Sequence, residues 1–105
     1  MAAYIVFVLR DVRDRAKLEE YWSKVGPTMA GHVLKPLAAY AGCEVLEGTD
    51  TVNGAVIVEF PSMEAARAWY DSPGYREVRQ HRLAGADFLT LLVEGRVAFP
   101  RKNKA

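Results

Sequence analysis

The chain has little of what builds a covalently or metal-stabilised fold. Its 105 residues include one cysteine, Cys43, and two histidines, His32 and His81. One cysteine cannot form an internal disulfide, and isolated histidines without HxxxH, HxH or CxxC spacing are not typical of a zinc site. We therefore predict no metal and no cofactor, and a fold that depends on its hydrophobic core.

Long hydrophobic segments are also missing. The longest apolar stretches, such as residues 3–9, are far shorter than the roughly 20 residues that cross a bilayer. No signal-peptide pattern opens the chain. We expect a cytoplasmic protein with no membrane partner.

Neither positive nor negative charge dominates, because the chain has 14 lysines and arginines and 13 aspartates and glutamates. Such a balance gives no overall field that attracts nucleic acid. We expect a single domain at residues 1–97 and a frayed basic tail at 98–105 with no assigned role. No glycine-rich phosphate loop or GxSxG motif occurs, so nucleotide hydrolysis and covalent acyl transfer have no support.

The first third of the chain predicts a strand followed by a long helix. Residues 3–9 are apolar on both alternating faces, as in a strand that is covered on both sides. Asp14 is a plausible helix N-cap, and apolar residues then recur at helical spacing. Because Gly26 and Pro27 interrupt this pattern, we predict a bent helix that continues toward Val33.

The rest of the chain predicts three strands and two helix starts. Strands are expected at residues 43–47, 55–60 and 87–94, and an Asn-Gly pair before the second of these favours a hairpin. Pro61 ends the third strand of the chain. Ser62 and Ser72 are candidate N-caps, and Pro73 suits a first helical position.

The resulting order, β-α-β-β-α-β, is that of a ferredoxin-like α+β fold. It has a four-stranded antiparallel sheet with its helices on one side, so the other face of the sheet is bare. Two-sided hydrophobicity in the strands indicates that this face is covered by a second copy. We predict a symmetric homodimer through the sheet face.

Two motifs carry a resemblance: Glu-Phe-Pro-Ser at residues 59–62 and Trp-Tyr-Asp-Ser-Pro-Gly-Tyr at residues 69–75. With Asp14, Pro27, His32 and the Val-Leu-Glu-Gly segment at 45–48, they make the chain similar to domain-of-unknown-function family 1330 over roughly residues 4–96. The resemblance implies a dimeric α+β barrel. The chain departs from the family pattern at Arg15 and over residues 33–36, which implies a reshaped segment after His32.

Three residues are candidate catalytic groups. His32 can exchange a proton near neutral pH, Glu59 ends an apolar strand, and Tyr70 offers a phenolic hydroxyl. Each also has a structural interpretation, namely a histidine at a helix end, an ion pair of Glu59 with Arg79 or Arg82, and a tyrosine packed in the core.

Three further residues are predicted to bind a substrate: Arg79, Trp69 and Tyr21. Arg79 would hold a carboxylate or enolate if Glu59 does not form an ion pair with it, and the two aromatic residues would line a pocket.

Two functions stay open. One is cofactor-free acid/base chemistry on a carbonyl-containing metabolite, as in cyclases or isomerases of the superfamily; the other is non-catalytic binding of a small hydrophobic ligand or an accessory role.

Overall fold

The fold consists of one antiparallel sheet and three α-helices. The computed structural model describes residues 1–96, so the predicted boundary at residue 97 and the basic tail lie outside the described residues. In chain order the elements are β1 (Ala3–Val12), α1 (Arg15–Lys24), a short 3-10 helix (Gly26–Met29), β2 (Lys35–Ala39), β3 (Gly54–Phe60), α2 (Met63–Tyr70), α3 (Pro73–Gly85) and β4 (Ala86–Glu94).

The sheet has the strand order β2-β3-β1-β4, and every neighbouring pair is antiparallel. This is the ferredoxin-like arrangement predicted from the sequence, with the second helical segment divided into α2 and α3. The prediction of the fold is confirmed. β1 lies between β3 and β4, which leaves β2 and β4 at the two edges.

Strand alternation places the core on the helix-facing side of the sheet. In β1, Ala3, Ile5, Phe7 and Leu9 are all buried, whereas the residues between them are only partly covered. Trp69, Tyr75, Phe60 and Leu18 are the largest fully buried side chains. Helices α1, α2 and α3 therefore close one face of the sheet with a largely aromatic core.

Side-chain caps fix the helix starts where the sequence predicted them. The Asp14 carboxylate accepts hydrogen bonds from the N–H groups of residues 16 and 17. The hydroxyls of Ser62 and Ser72 each accept one from the N–H three residues later. These bonds satisfy backbone donors that have no partner within the helix, and the three predicted caps are confirmed.

The predicted continuation of the first helix toward Val33 is wrong. α1 ends at Lys24, and Pro27 lies in the first turn of the separate 3-10 helix. A proline lacks the N–H that would continue the helical ladder, but that donor is not needed at the start of a new helix. His32 therefore lies in a turn after the 3-10 helix and not in α1.

The predicted strand at residues 43–47 is also wrong. The second strand is β2, and residues 43–47 belong to an irregular segment in which Leu46 is 86% exposed. β2 contains Pro36, and a proline cannot donate a hydrogen bond to a ladder. As β2 is an edge strand with a register shift between Pro36 and Ala38, the missing donor is tolerated.

The face of the sheet that points away from the helices is rich in apolar side chains. One row crosses all four strands in register and consists of Ala38, Ile57, Val6 and Leu91. On β4, alternate residues 89, 91 and 93 are Leu, Leu and Val, and each is more than 40% exposed. We call this the open face.

Candidate functional site

An apolar cavity of about 170 Å³ lies between α1 and the helix-facing side of the sheet. Every element except α3 and β4 contributes to its wall, and the lining residues are Phe7, Tyr21, Trp22, Val25, Met29, Pro36, Ala39, Tyr40, Val56, Val58 and Trp69. Tyr21 and Trp69, both predicted to bind a substrate, lie in this wall. Their binding roles stay predictions.

Tyr21, in the cavity wall, meets a second buried phenol, Tyr75, which does not line the cavity. The hydroxyls of Tyr21 and Tyr75 are 2.7 Å apart, and either atom can be the donor. The rings pack edge to face, with centroids 6.1 Å apart, and Trp69 lies over the Tyr75 ring at 4.0 Å. α1 supplies one phenol and α3 the other, so the packing of these two helices fixes the pair.

Arg82 is a buried cation beside the phenol pair. It is 3% exposed, and its guanidinium lies 5.2 to 5.9 Å from the ring centroids of Phe88, Phe7 and Tyr21. Among residues 1–96 no carboxylate forms a salt bridge with it, and its Nε has no hydrogen-bond partner there. Buried charges are normally paired, so the lack of a carboxylate partner for Arg82 among the described residues is unusual and points to a functional role.

Within the described residues, the Arg82 guanidinium donates to two hydroxyl groups. Its Nη2 donates to the Tyr70 hydroxyl at 3.4 Å and its Nη1 to the Thr90 hydroxyl at 3.5 Å. Both distances are long for a hydrogen bond. Ring faces supply the remaining attraction through cation–π contacts.

An aromatic pair closes one side of the cavity. The indole N–H of Trp22 donates to the Tyr40 hydroxyl at 3.1 Å, and the two rings meet edge to face. Tyr40 has a φ of +62°, which is uncommon for a residue with a side chain. The glycine at position 54 leaves room for the Tyr40 ring, because a Cβ at Gly54 would lie 3.0 Å from that ring. The same pair lines a second, open hollow on its outer side, so it separates the cavity from the surface.

The structure does not bring Glu59 together with Tyr70. Strand alternation puts Glu59 on the open face, where its carboxylate accepts a hydrogen bond from the Tyr4 hydroxyl at 3.4 Å. The alternative prediction, an ion pair with Arg79 or Arg82, is wrong because those arginines lie on the helix side of the sheet. Tyr70 contacts Arg82 within the helix layer. The catalytic roles of Glu59 and Tyr70 stay predictions.

His32 and Arg79 also lie away from the cavity wall. His32 is half-buried, and its backbone N–H donates to the carbonyl of Met29 at 3.1 Å. Arg79 donates to the backbone carbonyl of Tyr70 at 3.2 Å, and its guanidinium lies 4.4 Å from the Tyr70 ring centroid. Neither side chain lines the cavity that Tyr21 and Trp69 share.

Sequence reasoning missed the roles of Tyr75, Arg82 and Tyr40. Tyr75 and Arg82 are seven residues apart on α3, a spacing that puts both on one helix face, and Tyr75 is on the buried one. An arginine at that spacing from a core aromatic residue was the available signal. Tyr40 could not be found, because its position depends on the edge strand that the sequence did not reveal.

Within residues 1–96, no three side chains of His, Cys, Asp and Glu come together in a group that could hold a metal ion. No helix in the described part of the chain is long and apolar enough to span a membrane.

The two buried phenols give the protein a predicted sensitivity to alkali. Burial raises the pKa of Tyr21 and of Tyr75, and the charge of Arg82 opposes this only in part. Above about pH 10, the ordinary tyrosine pKa, the unfolded chain releases these protons while the folded chain keeps them. The free energy of unfolding is therefore expected to fall above that pH, by up to about 1.4 kcal/mol per pH unit for each phenol.

Urea denaturation at a series of pH values between about 8 and 11 measures this slope. Tyr21→Phe removes one of the two phenols, so the slope above about pH 10 is expected to be shallower in this variant. A free energy of unfolding that stays constant through this range would contradict the burial of the neutral pair.

Solved structures with the same fold come from several organisms. A protein of unknown function from Rhodopseudomonas palustris, RPA0582, has a TM-score of 0.73 at 18% identity, covering 92% of this chain and 84% of that one. A hydroxynitrile lyase from Passiflora edulis has a TM-score of 0.66 at 14% identity, covering 94% and 97%. A dimeric ferredoxin-like protein of unknown function from Thermobifida fusca has a TM-score of 0.60 at 13% identity, covering 90% and 91%.

At these identities the likeness shows the fold alone. No curated protein matches the chain at a significant level. A family model does match it, over residues 2–96, which is nearly the whole chain and includes both motifs that carried the resemblance. The chain therefore belongs to the family described as Domain of unknown function (DUF1330).

Proposed function

We propose that the protein binds a small, largely apolar compound with a carbonyl group in the cavity between α1 and the sheet. The observation that carries the proposal is the Tyr21 hydroxyl in a largely apolar wall, held 2.7 Å from the hydroxyl of Tyr75, which does not itself line the cavity. A pocket of this kind gains affinity from apolar contact and selects its ligand with a few polar groups. The Tyr21 hydroxyl is the group assigned to hydrogen-bond the carbonyl oxygen.

The positive charge of Arg82 supports this assignment. It stabilises partial negative charge on the neighbouring phenol oxygens, and its coulombic effect lowers the pKa of both Tyr21 and Tyr75 against the effect of burial. When Tyr75 donates to Tyr21, the Tyr21 proton is left for an acceptor in the cavity. Both phenols stay neutral at physiological pH, so the site offers a donor and not a negative charge.

The titratable groups in the cavity wall are better suited to binding a ligand than to abstracting a proton. Among the described residues that line the cavity, the titratable ones are Tyr21 and Tyr40, and burial raises the pKa of both. A neutral phenol with a raised pKa donates a hydrogen bond but does not take a proton near pH 7. A catalytic version, as suggested by the fold shared with a hydroxynitrile lyase, would use Tyr21 to stabilise an oxyanion or enolate.

We further propose that the protein works as a homodimer joined through its open face. The apolar row of Ala38, Ile57, Val6 and Leu91 crosses the whole sheet without a polar side chain. A sheet face of this width would bury more than about 1,000 Å², as stable interfaces do. The dimeric ferredoxin-like protein from Thermobifida fusca is consistent with this assembly.

Tyr21→Phe tests the binding site, with acetophenone as the probe and ethylbenzene as its counterpart without a carbonyl. We expect the unaltered protein to bind acetophenone more tightly than ethylbenzene in an NMR titration. The variant is expected to lose about five- to tenfold of the acetophenone affinity, the effect of one hydrogen bond, and little of the ethylbenzene affinity.

Tyr4→Phe is the matched control, because it removes a phenolic hydroxyl on the open face and leaves the cavity wall intact. This variant should keep the preference for acetophenone. Equal binding of both probes by the unaltered protein, or the same preference in Tyr21→Phe, would count against the proposed carbonyl site.

A further inference from the structure

A second cavity, separate from the one that Tyr21 lines, lies between α2 and β4. Its volume is about 150 Å³, and Ile5, Ala66, Arg67, Tyr70, Thr90, Leu91 and Leu92 line it. No aspartate or glutamate is among these lining residues. Its described polar side chains are one guanidinium and two hydroxyls.

The two hydroxyls in this wall are those that Arg82 contacts. The Nη2 and Nη1 atoms of Arg82 lie 3.4 Å from the Tyr70 hydroxyl and 3.5 Å from the Thr90 hydroxyl. Arg82 is 3% exposed, so its charge is held directly behind the wall and is poorly screened by solvent. Among the described residues, the Arg82 Nε is the buried side-chain polar atom that has no hydrogen-bond partner.

The direction of these contacts is fixed by chemistry. An arginine has only donors, so the Tyr70 and Thr90 hydroxyls must accept from it. Each hydroxyl then has its own proton to donate to a second acceptor, which the cavity is positioned to hold. Arg67, an exposed residue of α2, adds a positive charge at the rim.

We propose that this cavity binds a small aliphatic carboxylate. The two hydroxyls would donate to its oxygens, Arg82 and Arg67 would balance its charge, and Ile5, Ala66 and Leu92 would contact its apolar end. A carboxylate also supplies the anion that the buried Arg82 lacks among the described residues. A cavity near 150 Å³ holds a molecule the size of benzene, which limits the ligand to a few carbon atoms.

Butyrate is the probe, and butyramide, which has nearly the same shape and no charge, is its matched counterpart. We expect butyrate to shift the amide resonances of α2 and β4 in an NMR titration at neutral pH, and butyramide to bind at least about tenfold more weakly. Thr90→Val preserves the side-chain shape but removes one donor, and it should weaken butyrate binding by about tenfold. Arg67→Gln should weaken it by a smaller factor, because Arg67 is exposed to solvent.

Arg76→Gln serves as the control for lost charge, since Arg76 is exposed on α3 and does not line the cavity. It should bind butyrate like the unaltered protein. Thermal unfolding of each variant shows whether Thr90→Val is folded. If this variant is unfolded, Arg67→Gln and the comparison of butyrate with butyramide test the proposal in its place. Equal binding of the two probes, or no resonance shift with butyrate, would overturn the proposal. Neither result would bear on acetophenone binding at Tyr21.

Discussion

Leu91→Asp is expected to convert the proposed dimer into a monomer. Leu91 is 44% exposed in the single chain and ends the apolar row that crosses the open face. In a two-fold symmetric dimer each substitution occurs twice, so two carboxylates would be buried without partners. At about 2 kcal/mol each, their cost is about 4 kcal/mol, or roughly a thousandfold in the dimer Kd.

Analytical ultracentrifugation over a range of micromolar concentrations measures this change. Leu83→Asp is the matched control, because Leu83 is 50% exposed but lies on α3, on the other side of the sheet. The control is expected to sediment as a dimer. An unaltered protein that is monomeric at these concentrations, or a Leu91→Asp variant that stays dimeric, would show that the open face is not the interface.

Gly85→Ala is expected to destabilise the folded chain by about 3 kcal/mol. A Cβ at Gly85 would lie 2.6 Å from the backbone nitrogen of Leu18 and 2.9 Å from the carbonyl oxygen of Asp14. The Gly85 carbonyl also accepts hydrogen bonds from the N–H groups of Arg13 and Asp14. The methyl group would therefore push the start of α1 away from the end of α3 and weaken both bonds.

Urea denaturation at one fixed protein concentration measures the loss, since the stability of the proposed dimer would depend on concentration. Gly74→Ala is the control in the same helix, because nothing lies within 4 Å of the Cβ position there. It should be neutral or slightly stabilising, as alanine favours a helix more than glycine does. A Gly85→Ala protein as stable as the control would show that α1 and α3 are not in close backbone contact.

The parts of the fold that were predictable from the sequence depend on local signals. Asp14, Ser62 and Ser72 marked helix starts, because a capping side chain and its backbone partner are two or three residues apart. The apolar run at residues 3–9 marked the strand β1. β2 was not predictable, because its pairing with β3 depends on residues distant in sequence and its proline is acceptable only at an edge.

The candidate site was predictable only in part, for a similar reason. The sequence predicts Tyr21 and Trp69 as aromatic residues on helices, and the structure places both in the cavity wall. The pairing of Tyr21 with Tyr75 joins two helices whose relative position no local pattern reveals. Glu59 was placed by its position at a strand end, but strand alternation directs it to the open face.

The cavity wall contains both tryptophans of the chain, Trp22 and Trp69. Their indole N–H groups donate to the hydroxyls of Tyr40 and Thr28, so each chromophore is held in a fixed polar contact. All tryptophan emission from this protein therefore originates at the cavity. A compound that enters the cavity should alter the intensity or wavelength of that emission. Ligands can therefore be screened by the intrinsic tryptophan fluorescence of the unlabelled protein.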